Sequence, residues 1–300
     1  MALVDWEMLP YFLAVARAGS LRAGADLLNA NHVTVDRSIK SLEASYGVQL
    51  FTRTSRGFEV TDAGEELLPV AEEIEKLITT ARHRVEGLDK TEAGTIRFSL
   101  PPVLAHDVIA PIITKFSNTY PEINVELRLT DAQESISRSE TDISLRVAYE
   151  IDEDTIARKL YPMAIGTFAS KEYLKANMPD AGTGGSGLNW IGWTGPGSSP
   201  GWVSQSPFPY ASLRHSSGDG LMLLSMVRQG CGMSNMPVYF ANVYPELEQV
   251  PGTEPQLAYY LWILLHSDLR RTVRVRRFVD FLTEELKALQ PLMQGSLYRP

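Results

Sequence analysis

The chain has 300 residues, 44% of them hydrophobic and 21% charged, with a net charge of −8 and one cysteine. That length exceeds one ordinary core and predicts two or more domains, while no apolar run is long enough to span a bilayer. Asp5 and Glu7 interrupt the N-terminus where a signal peptide would be apolar, and a lone Cys231 excludes an intramolecular disulfide, so the expected compartment is the cytoplasm and no membrane partner is expected. The acidic balance excludes a nonspecific nucleic-acid binder. Residues 1–60 carry six basic side chains (Arg17, Arg22, Arg37, Lys40, Arg53, Arg56) against six acidic ones. Any DNA binding must therefore rest on a few placed cations.

Trp6, Leu9, Leu13 and Ala16 recur at helical spacing and predict a first helix that ends at Gly19. Ser20 stands at an N-cap position, and Ala23, Leu27 and Leu28 supply the buried side of a second helix. Asn29-Ala30-Asn31 makes a brief turn, with Asn31 the cap of a third helix. In that helix Val35, Ile39 and Leu42 face the core, while Thr34, Arg37, Lys40 and Ser41 lie opposite. Gly47 stops it. Phe51 to Val60 reads as a hairpin around Thr54-Ser55-Arg56-Gly57. Helix, turn, helix and hairpin over residues 1–60 form a winged helix-turn-helix, a motif that places its recognition helix in the major groove of double-stranded DNA.

Residues 61–90 predict a linker helix. Leu67, Ala71, Ile74, Ile78, Ala81, Val85 and Leu88 alternate at spacings of four and three, the pattern of a coiled-coil seam, and predict a homodimer. Glu72, Glu73, Glu75, Lys76, Arg82, Arg84 and Glu86 form the solvated side, and Pro69 is expected to bend the helix.

Residues 91–300 alternate strands and helices. Strands are expected at Thr95–Leu100, Asn124–Thr130, Asp142–Val147, Ile165–Ala169, Ser212–His215, Gly232–Asn235 and Tyr260–His266. Helices are expected at His106–Tyr120, about Glu134–Ser139, Lys171–Ala176, Gly218–Gly230 and Thr272–Leu289. This pattern predicts largely parallel sheets. The chain leaves a first lobe (about 94–162 and 266–289) near Pro162, builds a second (about 163–265), and returns near His266. The fold class is therefore α+β multidomain: winged helix-turn-helix, long linker helix, and two-lobed α/β sensor domain.

Several signals imply no chemistry. Gly182-Thr183-Gly184-Gly185-Ser186-Gly187 matches GxGxxG, but no strand precedes it, so an inter-lobe loop is expected and not a dinucleotide site. The five histidines are scattered without metal-ligand spacing, so no metal and no cofactor are expected. Cys231 lies between two glycines and reads as a packed turn residue. No catalytic constellation stands out, so an enzyme is not expected.

The residues from Phe12 and Val15 through Gly19-Ser20, Ala25, Leu28, Val35, Arg37, Ile39, Leu42-Glu43, Gly47, Leu50-Phe51, Arg53, Arg56, Thr61, Ala63-Gly64 and Leu67 resemble, in order, the N-terminal domain of the LysR-type bacterial transcriptional regulators. Thr141 to Val147, the Gly230-Cys231-Gly232 turn with Met236-Pro237, and the stretch from Leu261 to Arg276 resemble that family's sensor domain. The resemblance implies a type II periplasmic-binding-protein arrangement, a dimer through the linker helix, a homotetramer, contact with RNA polymerase, and a small-molecule effector held between the lobes. It also implies DNA contacts from Asn31, His32, Val33, Thr34, Arg37, Lys40, Ser41, Arg53 and Arg56. Thr34 and His32 suit base edges, Arg37 suits a phosphate or a guanine, and the wing arginines suit phosphates or the minor groove. Where the family has Ser-Gln-Pro-Ala/Ser, this chain has Asn31-His32-Val33-Thr34, and Asp36 replaces a common serine. The base preference of relatives is therefore not expected here.

The implied effector walls are Pro101, Pro102, Val103, Thr130, Arg146, Tyr149, Trp193, Ser216, Ser217, Met236 and Pro237. Pro101-Pro102-Val103 offers no hydroxyl where many relatives bind a carboxylate, leaving Ser216 and Ser217 as the polar cap. Arg146 fits either an acidic ligand or a structural pair. The effector is expected to be apolar or aromatic, or absent, in which case the cleft would serve a protein partner.

Overall fold

The structure is a computed structural model that describes residues 5–54, 57–86, 92–131, 141–151, 156–195, 198, 201–265, 269 and 272–296. Two compact units result, Met1–His83 and Arg84–Pro300.

In the first unit, α1 (Leu9–Ala18), α2 (Leu21–Leu27) and α3 (His32–Tyr46) precede a hairpin of β1 (Phe51–Thr54) and β2 (Gly57–Val60), and α4 (Asp62–Glu86) follows. The caps are local. Ser20 Oγ accepts from Ala23 N–H at 3.1 Å, and Asn31 Oδ1 accepts from Val33 N–H at 2.9 Å. Glu43 Oε1 accepts from the Leu50 and Phe51 amides at 2.8 and 3.3 Å, which ties the hairpin to α3. Gly57 sits so close to the end of α1 that a Cβ there would lie 2.5 Å from Gly19 O, and its φ of +132° also disfavours any side chain. Phe12, Val35, Ile39, Leu42, Leu50 and Phe51 form the core.

That core extends onto α4 and corrects the expected dimer seam. Ala71 is fully buried in it, and Leu67 and Ile74 pack against it. Arg17 of α1 grips Glu75 through two hydrogen bonds of 3.1 and 2.7 Å, with Glu72 at 3.5 Å. The first three positions of the apolar stripe are therefore covered by the core of the chain's own first unit. The apolar side chains left exposed on α4 are Val70, Leu77, Ile78 and Val85, with Ala81 beside them. Leu88 lies outside the described residues.

The second unit is built on a seven-stranded sheet and a separate two-stranded sheet. In chain order it holds β3 (Gly94–Leu100), α5 (Pro102–Leu104) running through a π-turn into α6 (Ala110–Thr119), β4 (Ile123–Leu129), β5 (Ile143–Ala148) and β6 (Ile156–Ser170). Next come α7 (Lys171–Asn177), β7 (Asn189–Trp193), β8 (Ser212–Ser217), α8 (Gly220–Arg228), β9 (Ser234–Pro237) and α9 (Tyr239–Val243). Then β10 (Leu247–Gln249), β11 (Gln256–Leu265), α10 (Val273–Ala288) and α11 (Gln290–Met293) complete it. The expected helix at Glu134–Ser139 and the strand end at His266 lie outside the described residues.

The strand order is β10-β6-β11-β5-β3-β4, with β9 also on β6. Only β3 with β4 and β3 with β5 are parallel in this sheet; β6 and β11 run antiparallel to their neighbours. The expectation of largely parallel pairing is corrected accordingly for this sheet, while β7 and β8 pair in parallel in the two-stranded sheet. The reason is that β6 is a single 15-residue strand and not the short Ile165–Ala169 segment. It pairs with β11 along both its halves, with register shifts around the Tyr260–Pro162 pair, where proline supplies no ladder donor.

Phe98, Phe116 and Phe278 meet edge to face in the main core, with centroids 4.9 to 5.2 Å apart. A smaller cluster packs Trp190 against Trp202 and Phe208. The glycine run at 182–187 serves that cluster. Cβ atoms at Gly184 and Gly185 would lie 2.6 Å from Tyr210 and Phe208, so the run is a packing feature beneath two aromatic rings.

Candidate nucleic-acid interface and inter-lobe cleft

Helix α3 places its chemistry by period alone. Val35, Ile39 and Leu42 are buried, which turns Val33, Arg37 and Lys40 outward at i, i+4 and i+7. His32 and Ser41 are also exposed, and Thr34 is half-buried. Asn31 lends its side-chain oxygen to the helix cap. Lys40 Nζ lies 2.7 Å from Asp36 Oδ2, so the aspartate that breaks the family pattern is spent on its neighbour one turn away. Among the described residues Arg37 and Arg53 have no ion-pair partner; both are exposed. Arg56 lies outside the described residues. Val33, expected among the DNA contacts, is 61% exposed.

The other candidate site lies in the second unit, where the expected wall residue Val103 meets α8 and α9. Tyr239 Oη donates to Val103 O at 2.5 Å, and Tyr244 Oη donates to Asp107 Oδ2 at 2.9 Å. A Cβ at Gly220 would lie 2.4 Å from Val103 Cγ1, so only glycine admits this approach. Pro101 is buried and Pro102 half-buried, and they open α5 without a side-chain cap. The first turn of α8 is capped by Asp219, whose Oδ1 accepts from Met222 N–H at 2.7 Å. This corrects the reading of Ser216 and Ser217 as that cap. Ser217 Oγ instead accepts from Asp219 N–H and donates to Asp219 O, both at 3.0 Å, in a tight turn before the helix.

Arg146 is buried on β5, its Nη2 donating to Ser99 Oγ at 2.9 Å and its Nη1 to Leu145 O at 3.0 Å. Burial, reinforced by the Asp219 carboxylate, holds the Asp131 carboxyl above the usual range, with Arg146 pulling the other way. Asp131 therefore feels the charges of both Asp219 and Arg146. The Thr130 amide continues the sheet by donating to Leu100 O at 3.0 Å. Trp193 is half-buried against the main core.

Three expected wall residues are placed elsewhere. Met236 is 3% exposed and belongs to the main core, because its strand lies against Gly166 of β6; Pro237 ends that strand, opposite Ile165. Tyr149 stacks on Tyr259 at 4.4 Å between centroids. The residues missed by sequence reading are Gly220, Asp219 and Tyr239. Of these only Asp219, three positions before Met222, carried a cap signal. Among the described residues no cluster of His, Cys, Asp and Glu is suited to a metal ion, and no helix is long and apolar enough to cross a membrane.

Residues 6–65 match the model of the bacterial regulatory helix-turn-helix protein, lysR family, and residues 89–287 match the LysR substrate binding domain. The chain belongs to the LysR family. This LysR-type regulator is 30% identical over 294 residues to the HTH-type transcriptional regulator CrgA of Neisseria meningitidis serogroup C, covering 93% of this chain and 96% of that protein. The solved structure of CrgA from Neisseria meningitidis matches with a TM-score of 0.55 at 27% identity, over 93% of this chain and 98% of that one. The full-length structure of the Vibrio cholerae virulence activator AphB shares the fold, with a TM-score of 0.61 at 21% identity over 93% and 98% of the two chains. The protein is a DNA-binding transcriptional regulator with a substrate-binding domain, and the relatives it matches are regulators and not enzymes.

Proposed function

We propose that this LysR-type regulator binds a promoter duplex as a homodimer and reads each half-site with the outward face of α3. The observation that carries the reading is the row Val33, Arg37 and Lys40, turned away from the buried Val35-Ile39-Leu42 row. His32 and Thr34 flank its first turn, where recognition helices meet base edges. Arg37 and Arg53 supply charge to the phosphates, and Arg53 sits on a hairpin that Glu43 ties to α3. The exposed α4 side chains Leu77, Ile78 and Val85 form the dimer surface.

The effector site is the inter-lobe cleft, with Asp131, Arg146 and Trp193 as its polar and aromatic walls. Val103, Gly220 and Asp219 fill the end where the α8 N-terminus would otherwise attract an anion. Carboxylate metabolites are accordingly expected to bind poorly. The test is anisotropy of a labelled duplex taken from upstream of the protein's own gene, titrated with the full chain against excess competitor DNA. Competitor-resistant binding supports the reading, and its absence for a folded dimer at low salt contradicts it.

A further inference from the structure

We propose that Val33 determines operator specificity by seating its isopropyl group against the 5-methyl of a thymine. The inference rests on the reading of α3 as the recognition helix and assigns one of its contacts.

Val33 is an anomaly on its own helix. It is 61% exposed, apolar and β-branched on the first turn, where neither helix propensity nor core packing favours valine. The side chains around it on the outward face (His32, Arg37, Lys40 and Ser41) are all polar. Its amide is already satisfied by Asn31 Oδ1 at 2.9 Å, so the backbone offers a base no donor at this position. What remains is an apolar knob on the turn that enters the groove first. In the major groove the apolar group on a base edge is the thymine methyl. The Asp36–Lys40 pair at 2.7 Å reinforces the assignment, because it neutralises the nearby lysine and leaves Arg37 as the free cation beside Val33 among the described residues.

The test uses the full-length chain and a randomised duplex library. The enriched site is then remade with each thymine replaced singly by uracil, which removes only the methyl group. Wild type, Val33→Ala and Val33→Ile are titrated against every duplex. Removing one buried methyl predicts about fourfold weaker binding for wild type at one thymine of the half-site. Val33→Ile retains that penalty, and Val33→Ala loses it. An enriched site whose uracil penalties are identical for wild type and Val33→Ala overturns the assignment while leaving α3 as the reader. A folded dimer that enriches no sequence overturns both the assignment and the DNA-reading function.

Discussion

Ala71→Glu and the pair Leu77→Glu plus Val85→Glu lie on one helix and are expected to fail in opposite ways. Ala71 is 0% exposed, packed in the core of the first unit near the Arg17–Glu75 clasp. A glutamate there must be desolvated, at an effective cost of several kcal/mol, and must displace packed neighbours at about 1–3 kcal/mol more. Against a typical domain stability of about 5–15 kcal/mol, that removes much of the fold. Leu77 and Val85 are 61% and 71% exposed, so the folded chain tolerates glutamate at both. In a dimer, burying the exposed part of four such side chains contributes on the order of 5 kcal/mol, roughly three to four orders of magnitude in Kd. The assay pairs urea unfolding by circular dichroism with sedimentation velocity. Ala71→Glu should lower the unfolding midpoint, whereas the double variant should keep its fold and sediment as a monomer. A well-folded monomer from Ala71→Glu, or a persistent dimer from the double variant, would refute the division of α4 into a core stripe and a dimer stripe.

Gly220→Ala should destabilise the sensor domain, because its Cβ would meet Val103 Cγ1 at 2.4 Å. Adding Val103→Ala should restore most of the loss in thermal unfolding, and strictly additive effects would show that the two do not touch. Burial first, then the Asp107 charge, holds the Tyr239 hydroxyl well above its ordinary value, and burial does the same to Tyr161. A tyrosine whose folded value is raised contributes stability that is complete below about pH 10 and declines as pH rises above it. Alkaline unfolding titrations should be flatter for Tyr239→Phe, although that variant starts about 1–3 kcal/mol lower because Val103 O loses its donor. An unchanged alkaline slope would contradict the assignment. Asp36→Ala should release Lys40 to the phosphates, tightening nonspecific binding and steepening the salt dependence of log Kd by about one unit; an unaltered slope would mean that Lys40 points away from DNA.

The parts that were legible in the sequence are those in which one period decides one face. Val35, Ile39 and Leu42 define the inward side of α3, and Asn31 and Ser20 announce their caps because capping depends on residues only two or three positions away. The α4 stripe misled because a four-three alternation reports that a face is covered and not by what. Leu67, Ala71 and Ile74 satisfy it by packing into the core of the first unit, while Ile78 and Val85 within the alternation, and Val70 and Leu77 outside it, are left exposed. The long β6 strand was hidden by Pro162, which ends most strands yet here sits at a register shift opposite Tyr260. The surroundings of Val103 were least legible. Tyr239 and Val103 are 136 positions apart, and nothing local in either predicts the hydrogen bond between them.

The most direct test of the central claim is the salt dependence of binding to the enriched duplex, wild type beside Arg37→Ala. If α3 enters the groove with Arg37 on a phosphate, the variant binds more weakly to every sequence and its log–log slope falls by about one unit. If affinity and slope are both unchanged, the outward face of α3 is not the DNA-reading surface.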